Sequence, residues 1–324
     1  MISFSGSGSD IEGESLTYSW NFGDGTAATA FSASANATHT YADNGTYTAK
    51  LTVKDASEAT STPAEATVRV ANVAPSVGAI TANPALVEVN KPVSVSANFT
   101  DPGVNDTHTA VWDWGTTNTS TKLSTAAGTV TESKGSGSVS GSVTYTTPGV
   151  YTVKLTITDK DGGAAQSIYQ YVVVYDPNGG FVTGGGWIMS PKGASTQYPD
   201  AEGRANFGFV SKYQKGASVP SGQTQFQFQA GNLNFHSTVY EWLTISGPKA
   251  QFKGSGTING AGDYGFILTA NDGQITGGGG VDKFRIKITD KATGKVVYDN
   301  QMGETDDSNA TTAISGGSIV IHSK

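Results

Sequence analysis

The chain has 324 residues, enough for two or three domains of ordinary size, and its 20 Lys and Arg against 27 Asp and Glu give a net charge of −7. The basic residues are scattered singly, whereas a protein that tracks phosphates needs them clustered, so nucleic acid is not an expected partner. No apolar run approaches the ~18 residues that span a bilayer, which argues against membrane insertion, and the absence of Cys excludes disulfides, thiolate catalysis and Cys-based zinc sites.

The composition favours β-structure. Gly occurs 42 times and only 15% of residues are charged, a combination typical of short strands joined by tight turns. Near the start, Leu16, Tyr18, Trp20 and Phe22 alternate with polar residues, which predicts a strand with one buried face. The Gly-Asp-Gly that follows at residues 23–25 predicts a turn, since Gly and Asp tolerate positive φ.

Two stretches of the first half of the chain are repeated. Residues 18–25 return in altered form as 111–115, and residues 39–53 return as 143–157. The repeats predict two tandem copies of one module, residues 1–74 and 75–176. The second copy carries an insertion of about a dozen residues near 122–141, rich in Gly and Ser, for which a mobile loop and a longer hairpin both remain open.

The first copy resembles a polycystic kidney disease (PKD) domain in two motifs, Trp-x-Phe-Gly-Asp-Gly at residues 20–25 and Tyr-x-x-x-Gly-x-Tyr-x-x-x-Leu at residues 41–51. The resemblance implies an immunoglobulin-like β-sandwich for each copy. The first copy lacks the family's opening strand, which implies an exposed sheet edge. In the second copy Thr116-Thr117 stands in place of Asp-Gly, so the turn there is expected to differ.

Residues 181–324 have a different pattern that is still that of strands. Phe207 alternates with Phe209, Phe226 with Phe228 and further pairs follow to the end of the chain, which predicts nine or ten short strands. Such strands with Gly-rich turns predict a larger antiparallel β-sandwich, with a jelly roll as one possible arrangement. This part resembles a domain found at the ends of large secreted bacterial proteins, which supplies context and no mechanism. The predicted fold is therefore all-β.

Calcium is the cofactor that the sequence supports. Residues 10–14 lie where many PKD domains carry an Asp-x-Asp-Gly-Asp loop, and the second copy has two further clusters of acids around Gly. Alternating oxygen ligands about a Gly turn suit a hard cation that takes six to eight oxygens, although Asp, Asn and Gly are also simply good turn formers. The candidate ligands are Asp10, Glu12, Glu14, Asp101, Asn105, Asp106, Asp159 and Asp161.

Carbohydrate binding would need exposed rings on a flat face. The candidates in the last domain are Trp187, Tyr198 and Tyr213. Trp242 alternates with Tyr240 along a strand, so we expect core packing for it, and the same burial is expected for Trp20, Trp112 and Trp114 because of their motif positions.

Catalytic motifs are missing from the sequence, so no catalytic residue is assigned. It contains neither Gly-x-Ser-x-Gly nor His-Glu-x-x-His. A carboxylate pair for glycoside hydrolysis stays open, because four acids of the last domain have no spacing that selects two of them: Glu241, Asp263, Asp272 and Asp282.

The function expected from these features is non-catalytic. A chain that begins within a strand, at Ile2-Ser3-Phe4, suggests a natural protein that extends upstream and carries its signal peptide there. We expect a fragment of a secreted or cell-surface bacterial protein, with two spacer domains and a last domain that binds polysaccharide, protein or the cell surface. The alternatives are an extracellular hydrolase acting on polysaccharide, with its site in residues 181–324, and a self-assembling structural surface protein.

Overall fold

The computed structural model of the chain describes residues 1–116 and 122–323. In this part of the chain all regular structure is β-strand apart from one 3₁₀ turn, Gln229–Gly231, so the all-β prediction is confirmed. The strands fall into three groups along the sequence. No helix among the described residues is long and apolar enough to cross a bilayer.

The first group of strands forms two small antiparallel sheets. One sheet has the order β1-β3 and the other the order β2-β4-β5. The strands are β1 (Ile2–Phe4), β2 (Thr17–Asn21), β3 (Ala37–His39), β4 (Gly45–Lys54) and β5 (Ala64–Val70).

The second group forms two five-stranded sheets that pack face to face. Its strands are β6 (Ser76–Val77), β7 (Thr81–Asn83), β8 (Leu86–Glu88), β9 (Pro92–Thr100), β10 (His108–Asp113), β11 (Ala126–Ala127), β12 (Thr129–Ser133), β13 (Ser136–Thr144), β14 (Gly149–Asp159) and β15 (Ala164–Tyr175). One sheet has the order β11-β10-β14-β15-β8, and the other the order β12-β13-β9-β6 with β7 also on β9. The segment near 122–141 thus contains a hairpin, β12–β13, which answers the choice that the sequence left open.

The third group forms one continuous antiparallel sheet of nine strands. They are β16 (Phe181–Ser190), β17 (Gly203–Tyr213), β18 (Pro220–Phe228), β19 (Leu233–Ser246), β20 (Lys249–Ile258), β21 (Ala261–Asn271), β22 (Lys283–Asp290), β23 (Val296–Asp299) and β24 (Gly316–His322). Their order is β23-β22-β21-β20-β19-β18-β17-β16-β24. This is a meander in which only β24 returns to an earlier strand, so the connections differ from those of a jelly roll.

The nine-stranded sheet curls until its two halves pack against each other. The ring of Phe207 on β17 stacks on that of Phe284 on β22 at 4.2 Å between centroids, although four strands separate them in the sheet. The free edge of β24 is covered by two buried carboxylates: Asp282 accepts a hydrogen bond from the Ile319 amide at 2.7 Å, and Asp272 accepts one from the Ile321 amide at 2.9 Å. Capping an edge strand in this way removes a pairing hazard.

The repeated tyrosines hold the same contacts in both PKD-like copies. In the first copy the Tyr41 hydroxyl donates to the Phe22 carbonyl, and the ring stacks on Tyr47 at 4.2 Å. In the second copy Tyr145 donates to the Trp114 carbonyl and stacks on Tyr151 at 4.1 Å. The stacked pair therefore ties the last strand of the motif to the end of the Trp-bearing strand, which explains the spacing of the motif.

The glycine after the Trp-bearing strand is needed for close packing. Gly23 and Gly115 both have positive φ, at 78° and 89°. A Cβ on either would run into the backbone of the neighbouring strand, at Thr48 and Thr152 respectively. The turn after Gly115, expected to differ from its counterpart, runs into residues outside the described part of the chain.

Asp24 anchors the turn of the first copy. Its carboxylate accepts hydrogen bonds from the backbone and side chain of Thr26, and it contacts the His39 ring at 2.6 Å. The His39 ring stacks in turn on Phe22, at 4.0 Å. Although burial opposes ionisation, these hydrogen bonds lower the pKa of Asp24 to about 2.

Burial of the motif tryptophans is confirmed, with exposures of 6%, 0% and 4% for Trp20, Trp112 and Trp114.

The first copy has a sheet edge that is left open. Among the described residues β1 pairs only with β3, whereas β9 in the second copy pairs with β13 on one edge and with β6 and β7 on the other.

Trp242 is buried as expected, but in a different place. A β-bulge between Tyr240 and Trp242 shifts the register of β19, so Tyr240 joins the core of the third domain and Trp242 does not. Trp242 instead clusters with Val150 and Val173 of the second domain. It therefore forms the apolar centre of the joint between the second and third domains.

Candidate metal centre

Three turns bring acidic residues together where the first domain meets the second. Asp43 lies in the turn before β4, and the pair Asp101 and Asp106 lies in the loop after β9. Asp159 ends β14, and Asp161 lies in the turn that follows it. The turns are built by Asp side chains: Asp101 accepts the Gly103 amide at 2.6 Å, and Asp159 accepts the amides of residues 161 and 163. These are the local contacts for which Asp is favoured in turns.

The carboxylates form two overlapping triads. The first triad is Asp101, Asp106 and Asp159, and the second is Asp43, Asp106 and Asp161; within each, one oxygen per residue lies within 4.8 Å of the others. All three members of the first triad are buried, at 5–6% exposure. So many carboxylates out of water need a cation or protons among them.

Lys160 supplies one positive charge to the second triad. Its ammonium contacts the carboxylates of Asp106, Asp43 and Asp161, and the hydrogen bond to Asp106 is the largest cause of a raised Lys160 pKa. Lys160 belongs to the second domain and Asp43 to the first, so this ion pair also links the two domains.

Asp106 retains one oxygen without a partner. Its Oδ1 accepts from Lys160, while its Oδ2 is buried and has no hydrogen-bond partner. Burial is the largest cause of the raised pKa of Asp106, with the neighbouring carboxylates of Asp43 and Asp101 adding to it and Lys160 opposing it. A buried carboxylate oxygen without a partner costs free energy.

Asp159 and Asp101 are better satisfied. Burial alone would raise the pKa of Asp159, but hydrogen bonds from Asn72 of the first domain and from the backbone of its own turn lower it. Asp101 accepts from the ring of His108 at 3.1 Å, and the other ring nitrogen of His108 meets Glu132 at 2.7 Å. Burial opposes protonation of His108, yet these two acids raise its pKa.

The remaining predicted calcium ligands do not join this cluster. Asp10 accepts hydrogen bonds from the amides of Glu12 and Glu14, which makes a local turn, and the Glu14 carboxylate is held by Ser57. The side chains of Glu12 and Asn105 are exposed. Sequence reasoning missed three participants. Asp43 and Asn72 reach the cluster only when the two domains pack together, and Lys160 was missed because its contact with Asp106 joins two loops of the second domain that are 54 residues apart in sequence.

The three rings predicted to contact a ligand do not form one platform. Tyr213 lies half-buried beside the joint of the second and third domains, where its ring stacks on Tyr175 at 5.4 Å and its hydroxyl donates to the Leu243 carbonyl. Tyr198 is exposed on the loop between β16 and β17. Trp187 is half-buried on β16, with the Arg204 guanidinium 4.8 Å from its ring centre.

Comparison with known proteins gives one family. A family model described as the PKD domain matches residues 1–70 and 72–174, more than half of the chain. No curated protein matches the chain. One solved structure that matches the chain is described as a membrane anchored protein from Corynebacterium diphtheriae. It is 13% identical over 97% of this chain and 89% of that chain. Its TM-score of 0.24 is too low to carry an argument.

Proposed function

Because the chain belongs to the PKD domain family, whose domains are typically extracellular modules, we propose that it is a non-catalytic binding and spacer fragment of a secreted or cell-surface bacterial protein. The two PKD domains serve as the spacer. Residues 181–324 make the contact with a polysaccharide, a protein or the cell surface.

Packing at both joints is the observation that carries the spacer role. The first joint has the Lys160–Asp43 ion pair and a hydrogen bond from Asn72 to Asp159 at 2.9 Å. The second joint has the Trp242 cluster, to which Thr152 adds a hydrogen bond to Asp307 at 2.9 Å. Contacts of this kind restrict the domain motions that a bare linker would allow, so the last domain is held out at a defined position.

The carboxylates of the third domain support a non-catalytic role. Asp272 and Asp282 are buried caps of β24, whereas Glu241 and Asp263 form exposed ion pairs with Lys253 and Lys291. Each acid thus has a structural partner. The two buried acids, at 4% and 6% exposure, are committed to backbone amides of β24 rather than presented to a substrate.

Binding without turnover tests this role. The intact chain is incubated with labelled bacterial cells and with a panel of extracellular polysaccharides, and both retention and release of reducing ends are measured. We expect retention and no release. Release of reducing ends that is lost in Glu241→Gln or Asp263→Asn would instead establish the hydrolase alternative.

Calcium at the first joint is the second part of the proposal. The observation that favours calcium is the buried Oδ2 of Asp106, which has no hydrogen-bond partner, together with the nearby buried oxygens of Asp101 and Asp159. These are hard oxygen ligands of the type that Ca²⁺ prefers, and Lys160 leaves that oxygen of Asp106 available. A bound Ca²⁺ would neutralise the buried charge and tighten the contact between the two domains.

Thermal unfolding in calcium and in chelator tests the metal. An ion that binds only the folded state stabilises it by about 2.7 kcal/mol when present at a hundred times its dissociation constant. We expect calcium to raise the Tm of the intact chain and Asp106→Asn to abolish the rise. Asp200→Asn removes an exposed carboxylate of the third domain and is the charge-matched control. An equal Tm in calcium and in chelator would rule the metal out.

Self-assembly is the third candidate, and the open edge of β1 favours it. A shallow depression of about 510 Å³, lined by residues 3–5 and 36–38, lies over the β1–β3 pair. Sedimentation over a range of concentrations distinguishes it: a chain that stays monomeric at high concentration would exclude assembly through this edge.

A further inference from the structure

The outer face of the third domain carries a group of amide side chains and one histidine that lie apart from the joints and the acidic cluster. On β17, β18 and β19 the alternate residues Phe207, Phe226 and Phe235 are buried in the core. The residues between them lie on the opposite face and are exposed or half-buried. They are Asn206, Gln225, Gln227, Asn234 and His236.

Strand register aligns these residues in two rows across the sheet. Adjacent strands lie about 4.8 Å apart, so each row places one residue per strand at that spacing. One row, beginning at the aromatic ring, contains Trp187, Asn206, Gln227 and Asn234. The other row contains Gly185, Gly208, Gln225 and His236.

The two glycines turn the second row into a trough. A Cβ placed on Gly185 or Gly208 would meet no atom within 4 Å, so the space above both residues is open. A shallow cavity of about 350 Å³ continues from Gly208 over Asn206, the two glutamines, Asn234 and His236. Gln225 donates to the His236 ring at 3.2 Å, which holds both side chains at the floor.

Trp187 closes one end of the first row. The Arg204 guanidinium lies over its ring, and the Arg204 Nε donates to Asn206 Oδ1 at 2.9 Å. The Trp187 indole lies over Gly316, and a Cβ at residue 316 would come within 2.5 Å of the indole Nε1. The indole is thus held at the end of the row with the Arg204 guanidinium over it, so it bounds a row of amides that can hydrogen-bond the hydroxyls of a sugar.

We propose that this trough and the amides beside it, Asn206, Gln225, Gln227 and Asn234, with Trp187 at one end, bind a neutral polysaccharide. Amide side chains donate and accept, as hydroxyl groups do, and the lining of the cavity holds no carboxylate and no lysine in a chain of net charge −7. The evenly spaced rows suit an extended polymer of repeating rings. The inference rests on the proposed contact role of the third domain and names its ligand class and site.

Binding of the intact chain to defined glycans tests the inference. The probes are soluble neutral polymers (β-glucan, xylan, mannan and chitin oligomers) and two acidic ones, alginate and polygalacturonate, with affinity measured by calorimetry. Gly208→Val fills the trough where the structure has room for it, and Gly265→Val, at a strand glycine whose Cβ would meet only ordinary contacts, is its control. The double variant Gln225→Ala/Gln227→Ala removes two hydrogen-bonding groups.

We expect at least one neutral polymer to bind, and Gly208→Val and the double variant each to weaken it ten-fold or more. Trp187→Phe should keep most of the affinity that Trp187→Ala loses. Equal affinity in the trough variants, or binding of the acidic polymers alone, would overturn the inference. If the chain binds cells or protein but no neutral polymer, the trough fails while the contact role stands; if it binds nothing, both fail.

Discussion

Replacing Trp242 with Ala tests the joint that positions the third domain. Trp242 is 6% exposed and contacts Val150 and Val173 of the second domain, with Tyr171 packed against the same cluster. A Trp side chain buries about 150–250 Å², which at ~25 cal/mol per Å² corresponds to about 4–6 kcal/mol if all of it leaves water. Part of this surface faces its own domain and the site relaxes, so we expect a loss of about 2–4 kcal/mol.

Calorimetry of the intact chain measures this loss. In Trp242→Ala the unfolding transition of the third domain should fall and separate from that of the second. A double-mutant cycle with Val173→Ala isolates the contact across the joint, because neighbouring residues give non-additive changes. Val239→Ala on the same strand, at a side chain that is 56% exposed, should leave the transitions unchanged.

A loss below about 0.5 kcal/mol, the range of an ordinary surface substitution, would refute the argument. Strict additivity with Val173→Ala would refute it as well, since the two side chains would then not share an interface.

Three further predictions concern single sites. Asp24→Asn should cost about 1 kcal/mol above pH 4 after allowance for solvent screening. This cost should shrink as pH falls from 3.8 and vanish below the lowered pKa of about 2, where Asp24 is protonated in the folded chain as well; a cost that persists undiminished below pH 2 would contradict this. Burial lowers the pKa of Lys249 to about 8, so the unfolded chain binds the proton more tightly than the folded chain. The stability of the chain relative to that of Lys249→Met should therefore rise between pH 8 and 10.5. Parallel pH profiles of Tm for the two proteins would be evidence against this. Gly23→Ala should destabilise the first domain more than Gly25→Ala by at least about 1 kcal/mol, since both have positive φ but only Gly23 faces neighbouring backbone; equal denaturation midpoints would disprove the steric argument.

The repeat made the PKD part of the fold predictable. The motif residues make specific contacts, such as the hydrogen bond from the Tyr41 hydroxyl to the Phe22 carbonyl. The same hydrogen bond recurs in the second copy between Tyr145 and Trp114. A contact that depends on two motifs at constant spacing is visible in sequence.

In the third domain the sequence pattern predicts which residues are buried, but neither the β-bulge nor the strand order. Alternation predicts buried and exposed faces well, and Phe207, Phe209, Phe226 and Phe228 are all buried. It does not reveal a bulge, so Trp242 was expected in the core with Tyr240 and lies instead at the joint. Strand order is likewise not encoded in alternation, which is why a meander was not distinguished from a jelly roll.

The acidic cluster at the first joint was predictable in part. Asp101, Asp106 and Asp159 were all chosen from turn patterns, and folding brings them together. The contribution of Asp43 depends on how one domain packs on the next, which no local pattern records. The loop at residues 10–14 had an equally good pattern, yet there Asp10 caps its own turn.

The distance between the first and third domains tests the spacer account most directly. The chain has no Cys, so Ala28→Cys and Ala292→Cys, both at exposed positions, accept spin labels without other substitutions. We predict one narrow distance distribution for the labelled chain, broadened when Trp242→Ala is added. A broad distribution in the labelled chain itself would contradict the account, because the two joints would then not hold the third domain in place.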